Sequence, residues 1–127
     1  MKNIDRWFIL TGLVFLLIGM ALGLHMSKAQ NFTLLGLHAH LNLLGFVVMT
    51  VFGLCYRQWP RMQEGRLATV HYVVHTVTVA VALSLLYFIL TNMDLAPKLG
   101  PVLDTILLGT VAGVMLFSYL FFTRARE

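Results

Sequence analysis

The chain has 127 residues, 59% of them hydrophobic and only 11% charged, with a formal net charge of +4. A mean hydropathy of +0.85 excludes an ordinary water-soluble domain. The lone Cys55 excludes an intrachain disulfide, and no aromatic-interleaved basic patch or phosphate loop argues for nucleic acid.

Charges cut the sequence into uncharged runs, Trp7–Ser27, Ala29–Tyr56, Leu67–Met93 and Thr105–Thr123. Each is long enough for a helix across a hydrocarbon core of about 30 Å, which takes roughly 20 apolar residues. The runs predict an all-α, four-helix transmembrane bundle in membrane lipid. It forms one domain, 1–127, with helices at about 7–26, 32–56, 62–91 and 101–123.

In the first run, Lys2 before the apolar stretch and Ser27-Lys28-Ala29 after it have the outline of a signal peptide. The stretch exceeds the roughly 7–15 residues of a signal h-region, so it reads as a true first helix. Gly19 and Gly23 form a Gly-x-x-x-Gly step, which suits close helix packing or the housing of a flat cofactor. His25, at the outer end, reads as an interfacial imidazole that needs no ligand role.

The second run carries Leu37-His38-Ala39-His40-Leu41-Asn42, two histidines and an amide inside hydrocarbon. Ionisable groups at membrane depth are expensive and mark functional sites by default. A helix advances about 100° per residue, so His38 and His40 point to nearly opposite sides. That favours two ligands to two centres over a chelate of one ion. His38 shares a face with Asn42, Gly45 and Met49 that suits the bundle core, where an interhelical hydrogen bond is the bland alternative. His40 shares its face with Gly36, Leu43 and Val47.

Pro60 cannot continue that helix, and Trp59 is placed to anchor at the headgroups. The third run contains His71-Tyr72-Val73-Val74-His75, two imidazoles on one helix face with the spacing of metal-binding helices. No glutamate follows the first histidine, which excludes a zinc protease. A hairpin turn flanked by Arg57 and Arg61 would bring His40 and His75 within about 4–5 Å in height and leave His71 roughly 13 Å from the level of His38. In the fourth run, Pro101 opens the helix. Asp104 serves as a support for an imidazole or as a carboxylate at a helix N-terminus. Gly109 and Gly113 repeat the small-residue step. Gly-rich faces on helices one and four predict a small cyclic homo-oligomer.

Lys2, Arg6, Arg57, Arg61, Arg66, Arg124 and Arg126 fall on one side of this topology, and only Lys28 and Lys98 on the other. The bias places both termini in the cytoplasm, in a bacterial-type inner membrane.

His38-Ala39-His40-Leu41, followed four residues later by Gly45, resembles the helix of heme-copper oxidase and nitric oxide reductase catalytic subunits that carries a His-x-His pair. The run on through Tyr56-Arg57 is similar to small four-helix membrane proteins regarded as oxidase-like. The resemblance covers one helix of four, and the adjacent copper-binding histidines and further spans of a full oxidase are absent. It implies heme b, with copper as a second candidate metal, and His38 and His40 ligating two different centres. On the third helix the resemblance points to His71, in Arg66-Leu67-Ala68-x-x-His71, whereas the hairpin geometry points to His75; both stay candidates. Met20, Met49 and Met115 are softer ligands or wall, and Arg66 or Lys98 would receive propionates. No Cys-x-x-Cys-His is present, so covalent heme attachment is excluded. The implied activity is redox: electron transfer or reduction of oxygen or nitric oxide, fed by an electron-donor protein or a quinol. The competing expectation is a histidine-based metal-ion or proton transporter or sensor without heme. Transporters of that kind more often show broken helices and intramembrane carboxylates.

Overall fold

The computed structural model describes residues 1–126 and contains four long helices: α1 (Ile4–Ala29), α2 (Leu35–Gln58), α3 (Leu67–Thr91) and α4 (Ala96–Arg124). Among the described residues there is no strand. The helices have 26, 24, 25 and 29 residues, and each outreaches a core of about 30 Å at about 1.5 Å per residue. Their outward faces carry Leu10, Val14, Leu17, Leu54, Val73, Val77, Leu108 and Met115, all exposed, while His71, His75 and Thr110 are buried. Apolar outside and polar inside is the inverse of a water-soluble bundle. The chain is a multi-pass membrane protein of the all-α, four-helix class.

The bundle is two antiparallel hairpins. In the first, glycines let α1 and α2 meet at backbone distance. A Cβ on Gly53 would lie 2.8 Å from the Asp5 carbonyl oxygen, and one on Gly12 would lie 3.2 Å from that of Phe46. In the second, Gly109 and Gly113 of α4 sit against Thr78 and His75 of α3, and Thr110 donates a hydrogen bond to Thr78 at 3.1 Å. The hairpins join at the arginine-rich end. There Phe8, Phe52, Tyr56, Met62, Ala68 and Leu120 form a closed core, and Thr11 and Tyr72 share a hydrogen bond of 2.8 Å. At the opposite end they part around an apolar groove of about 370 Å³ lined by residues such as Phe15, Leu41, Leu83 and Tyr87.

Two helix starts differ from expectation. α3 begins at Leu67, not near 62, because the link from α2 is longer than a tight turn: a 3-10 turn, Pro60–Gln63, and then Gly65 in the left-handed region at φ 79°. α4 begins at Ala96, with Pro97 in its first turn where the missing N–H is not needed, so Pro101 lies inside the helix. The long link resets the pairing of α2 with α3. Tyr56 lies opposite His71, Phe52 beside His75, and Gly36 beside Leu90. His40 and His75 are therefore about 18 Å apart along the bundle, counting twelve residues from His40 to Phe52 at about 1.5 Å each. The expected opposition of His40 and His75 does not occur.

Leu41–Val47 is a π-helical stretch inside α2. Burial recurs every four residues at Leu37, Leu41, Gly45 and Met49, wider than the 3.6-residue α-helical turn. The widened turn sets the rotation of Leu35–His40 relative to Val48–Gln58.

Candidate functional site

His71 and His75, one turn apart on α3, point into the closed core and are both 0% exposed. Their ring centres are 5.8 Å apart. Phe52 meets both edge to face at 4.8 and 4.9 Å, and Phe8 and Phe117 approach His71 at 4.9 and 5.6 Å. The Tyr56 hydroxyl, also fully buried, is 2.8 Å from His71 Nδ1. His71 Nε2 and both nitrogens of His75 have no hydrogen-bond partner. Each unpaired buried polar group costs about 1–3 kcal/mol, and α4 is shaped to this arrangement: a Cβ on Gly113 would lie 2.9 Å from His75 Nδ1. Two imidazoles on one ion at about 2.0–2.1 Å hold their ring centres roughly 6 Å apart, so the spacing of His71 and His75 suits a bare ion. Among the described residues no group of three or more His, Cys, Asp or Glu comes together, so the pair has no carboxylate or thiolate beside it.

The α2 histidines diverge. His38 is half-buried and turns to α1, where its Nδ1 is 2.7 Å from the Gly19 carbonyl oxygen. A carbonyl only accepts, so Nδ1 carries the proton, and Nε2 accepts from the Asn42 amide at 3.3 Å. Gly19 and Gly23 are small for these side chains: a Cβ there would lie 2.5 Å from Asn42 Oδ1 and 2.9 Å from His38 Cε1. The face holding His38, Asn42, Gly45 and Met49 thus packs on α1 rather than on α3. The Gly-x-x-x-Gly step seats these side chains. His40 is exposed, and its Nδ1–H donates to the Gly36 carbonyl at 2.7 Å, leaving Nε2 unspent. It borders a shallow groove of about 120 Å³ with Leu44, Leu83, Leu103 and Leu107.

The structure brings His71 and His75 together, and keeps His38 and His40 apart from them and from each other. Asp104, His25, Arg66, Lys98, Met20 and Met115 are exposed, and Met49 is buried. Asp104 makes no hydrogen bond to an imidazole among the described residues. The expectation had no place for Tyr56 as the partner of His71. The available signal was the Phe52–Tyr56 spacing of four on a helix facing the His71–His75 spacing of four.

The three settings accept different groups. The aromatic walls of His71 and His75 stand at ring-contact distance and leave no room for a macrocycle. His38 is walled by Gly19, Gly23 and Asn42. Only His40 offers an imidazole with a fixed proton and an unspent nitrogen on an open apolar face, which fits an axial ligand of a porphyrin. Cofactor sites run to about 300–1,000 Å³, so the groove at His40, at about 120 Å³, is smaller than one that encloses such a group.

Comparison with protein-family models, with curated proteins and with solved structures finds no match to this chain.

Proposed function

We propose that the protein is a heme b-binding membrane redox protein, with the buried His71–His75 pair as a second metal centre suited to copper. One repeated observation carries this reading. On His40 and His71, one ring nitrogen is held by a carbonyl or a tyrosine hydroxyl at 2.7–2.8 Å and the other is left unspent. Metal-ligating histidines are oriented in that way, the tautomer being fixed through the nitrogen that does not bind the metal. Neutral imidazoles without carboxylates suit iron and copper. The likeness of His38-Ala39-His40-Leu41 to the oxidase helix supports the same assignment.

In this reading His40 presents Nε2 to the iron at an interface with a second copy of the chain in a small homo-oligomer. The Gly36 carbonyl holds the ring in place, and Leu83, Leu103 and Leu107 exclude water from one edge. Bound heme would supply one-electron chemistry towards oxygen or nitric oxide, and copper held by His71 and His75, about 18 Å away along the bundle, would be a separate electron-transfer centre. Tyr56 fixes His71 Nδ1, so that Nε2 and a His75 nitrogen are the ion's donors. Electrons come from a donor protein or a quinol. The arginine bias puts both termini in the cytoplasm, with the protein in a bacterial-type inner membrane.

One observation favours a second reading. Tyr56, His71 and His75 form a buried run of proton-exchanging groups, as would serve a histidine-based proton or metal-ion carrier without heme. The visible spectrum of the purified protein, with metal analysis, separates the two. The redox reading expects a Soret band with the reduced spectrum of a b-type heme. A colourless preparation from heme-sufficient cells rejects it in favour of transport.

A further inference from the structure

A separate feature lies at the arginine-rich end of the bundle. A cleft of about 360 Å³ opens between the α2–α3 link and the end of α4, lined by Arg61, Glu64, Gly65, Thr123, Arg124 and Arg126. Among the described residues, three arginines face one glutamate in the lining, an excess of two positive charges. Arg124 donates to the Glu64 backbone carbonyl, which ties the end of α4 to the link. A guanidinium has five N–H donors in a planar fork, so this bond orients the group and leaves most of its donors for a ligand. The N-terminus of α3, two residues after Gly65, has no side-chain cap, which adds positive potential on the same side. Depth is set by Trp59, which packs edge to face on Phe121 at 5.1 Å. Tryptophan marks the headgroup boundary, and the cleft lies one turn beyond it.

We propose that this cleft binds a phosphate group, and that its ligand is the headgroup of an anionic phospholipid in the leaflet on that side. Planar arginine donors match phosphate oxygens in pairs. The excess of two positive charges selects against zwitterionic headgroups, whose own cation would meet the arginines. The site is separate from the heme and copper assignment, since no histidine lines it. A soluble phosphate shares the recognised chemistry, and the test distinguishes the two sources.

The full-length protein in mild detergent is titrated with dioleoyl phosphatidylglycerol, dioleoyl phosphatidylcholine or inorganic phosphate, and bound ligand is counted by native mass spectrometry. A basic side chain near an anionic headgroup is worth about fivefold in binding, so R61Q/R126Q should lose phosphatidylglycerol about 25-fold. R6Q and R57Q, at the same end but outside the cleft, should retain it. Arg61 and Arg126 are exposed, so their loss should leave the thermal midpoint unchanged; if the double variant is unstable, R126Q alone should lose about fivefold. Phosphatidylglycerol binding that inorganic phosphate does not displace supports the lipid. Displacement by phosphate at millimolar concentration assigns the cleft to a soluble phosphate and overturns the lipid assignment. Equal phosphatidylglycerol and phosphate binding by wild type and R61Q/R126Q, or equal loss in R57Q, overturns the site.

Discussion

The unpaired nitrogens of His71 and His75 make opposite predictions for neighbouring substitutions. Tyr56→Phe removes the one polar partner of His71 and leaves Nδ1 as well as Nε2 unsatisfied. The metal-free protein should then lose about 1–3 kcal/mol of stability. His75→Leu removes two unpaired buried nitrogens and keeps an apolar side chain of similar bulk. The metal-free variant should gain stability of the same order, about 1–3 kcal/mol, while losing bound metal. Thermal unfolding in detergent, with metal stripped beforehand, reads both signs. Polar groups kept at a cost to folding belong to function rather than to packing. If His75→Leu instead weakens the metal-free fold as much as Tyr56→Phe, the pair is structural and the metal centre is lost as an interpretation.

Among the elements, α1 and α2 carry the sharpest contrast between glycines. A methyl group at Gly23 would press on the His38 ring, whereas one at Gly36 would meet only Leu90 Cδ1 at 3.9 Å. Gly23→Ala should cost about 1–3 kcal/mol through overpacking and shift the environment of His38, while Gly36→Ala should be neutral or slightly stabilising. Equal behaviour of the two variants in thermal unfolding would contradict the packing described for His38. The π-helical stretch yields a second test. Deleting the exposed Leu43 should return Leu41–Val47 to α-helix and rotate His38 and His40 by about 100° relative to Tyr56. Heme absorbance should collapse while metal held by His71 and His75 remains; an unchanged spectrum would separate heme from α2. These elements also show what the sequence could and could not reveal. Four helices were legible because the thickness of the hydrocarbon core dictates the length of each apolar run. The divergence of His38 and His40 was legible because it depends only on rotation per residue. Which residue faces which across α2 and α3 was not legible, because it depends on how many residues the Trp59–Arg66 link consumes. The turn of Gly65 and the 3-10 geometry of Pro60–Gln63 are local details that apolar periodicity does not encode. The destination of the His38 face was missed for a related reason: the glycines of α1 were free to pack on any neighbour, and only the assembled hairpin shows them seating His38 and Asn42.

For the whole molecule, the glycine faces expected to drive self-association are spent inside the chain, on His38 and Asn42 by α1 and on Thr78 and His75 by α4. The proposed assembly therefore rests on the other exposed feature, the His40 face. An imidazole with an unspent nitrogen at a lipid-facing position is costly, and its groove of about 120 Å³ is below the roughly 300–1,000 Å³ of a cofactor site. A heme held there needs a second surface, and in a two-fold homodimer that surface is the same face of another copy. Heme and assembly should then be linked: a ligand that binds only the oligomer stabilises it by mass action. The heme-free protein should run as a monomer in mild detergent, and added hemin should raise its mass in step with the Soret band. His40→Ala should abolish both responses, since it removes the ligand without touching the closed core. Leu103→Trp, which fills the groove but spares the imidazole, should weaken both in parallel. A heme-loaded monomer with a full b-type spectrum, or an oligomer whose mass is the same with and without hemin, would show that cofactor and assembly are unconnected and would remove His40 from the proposed site.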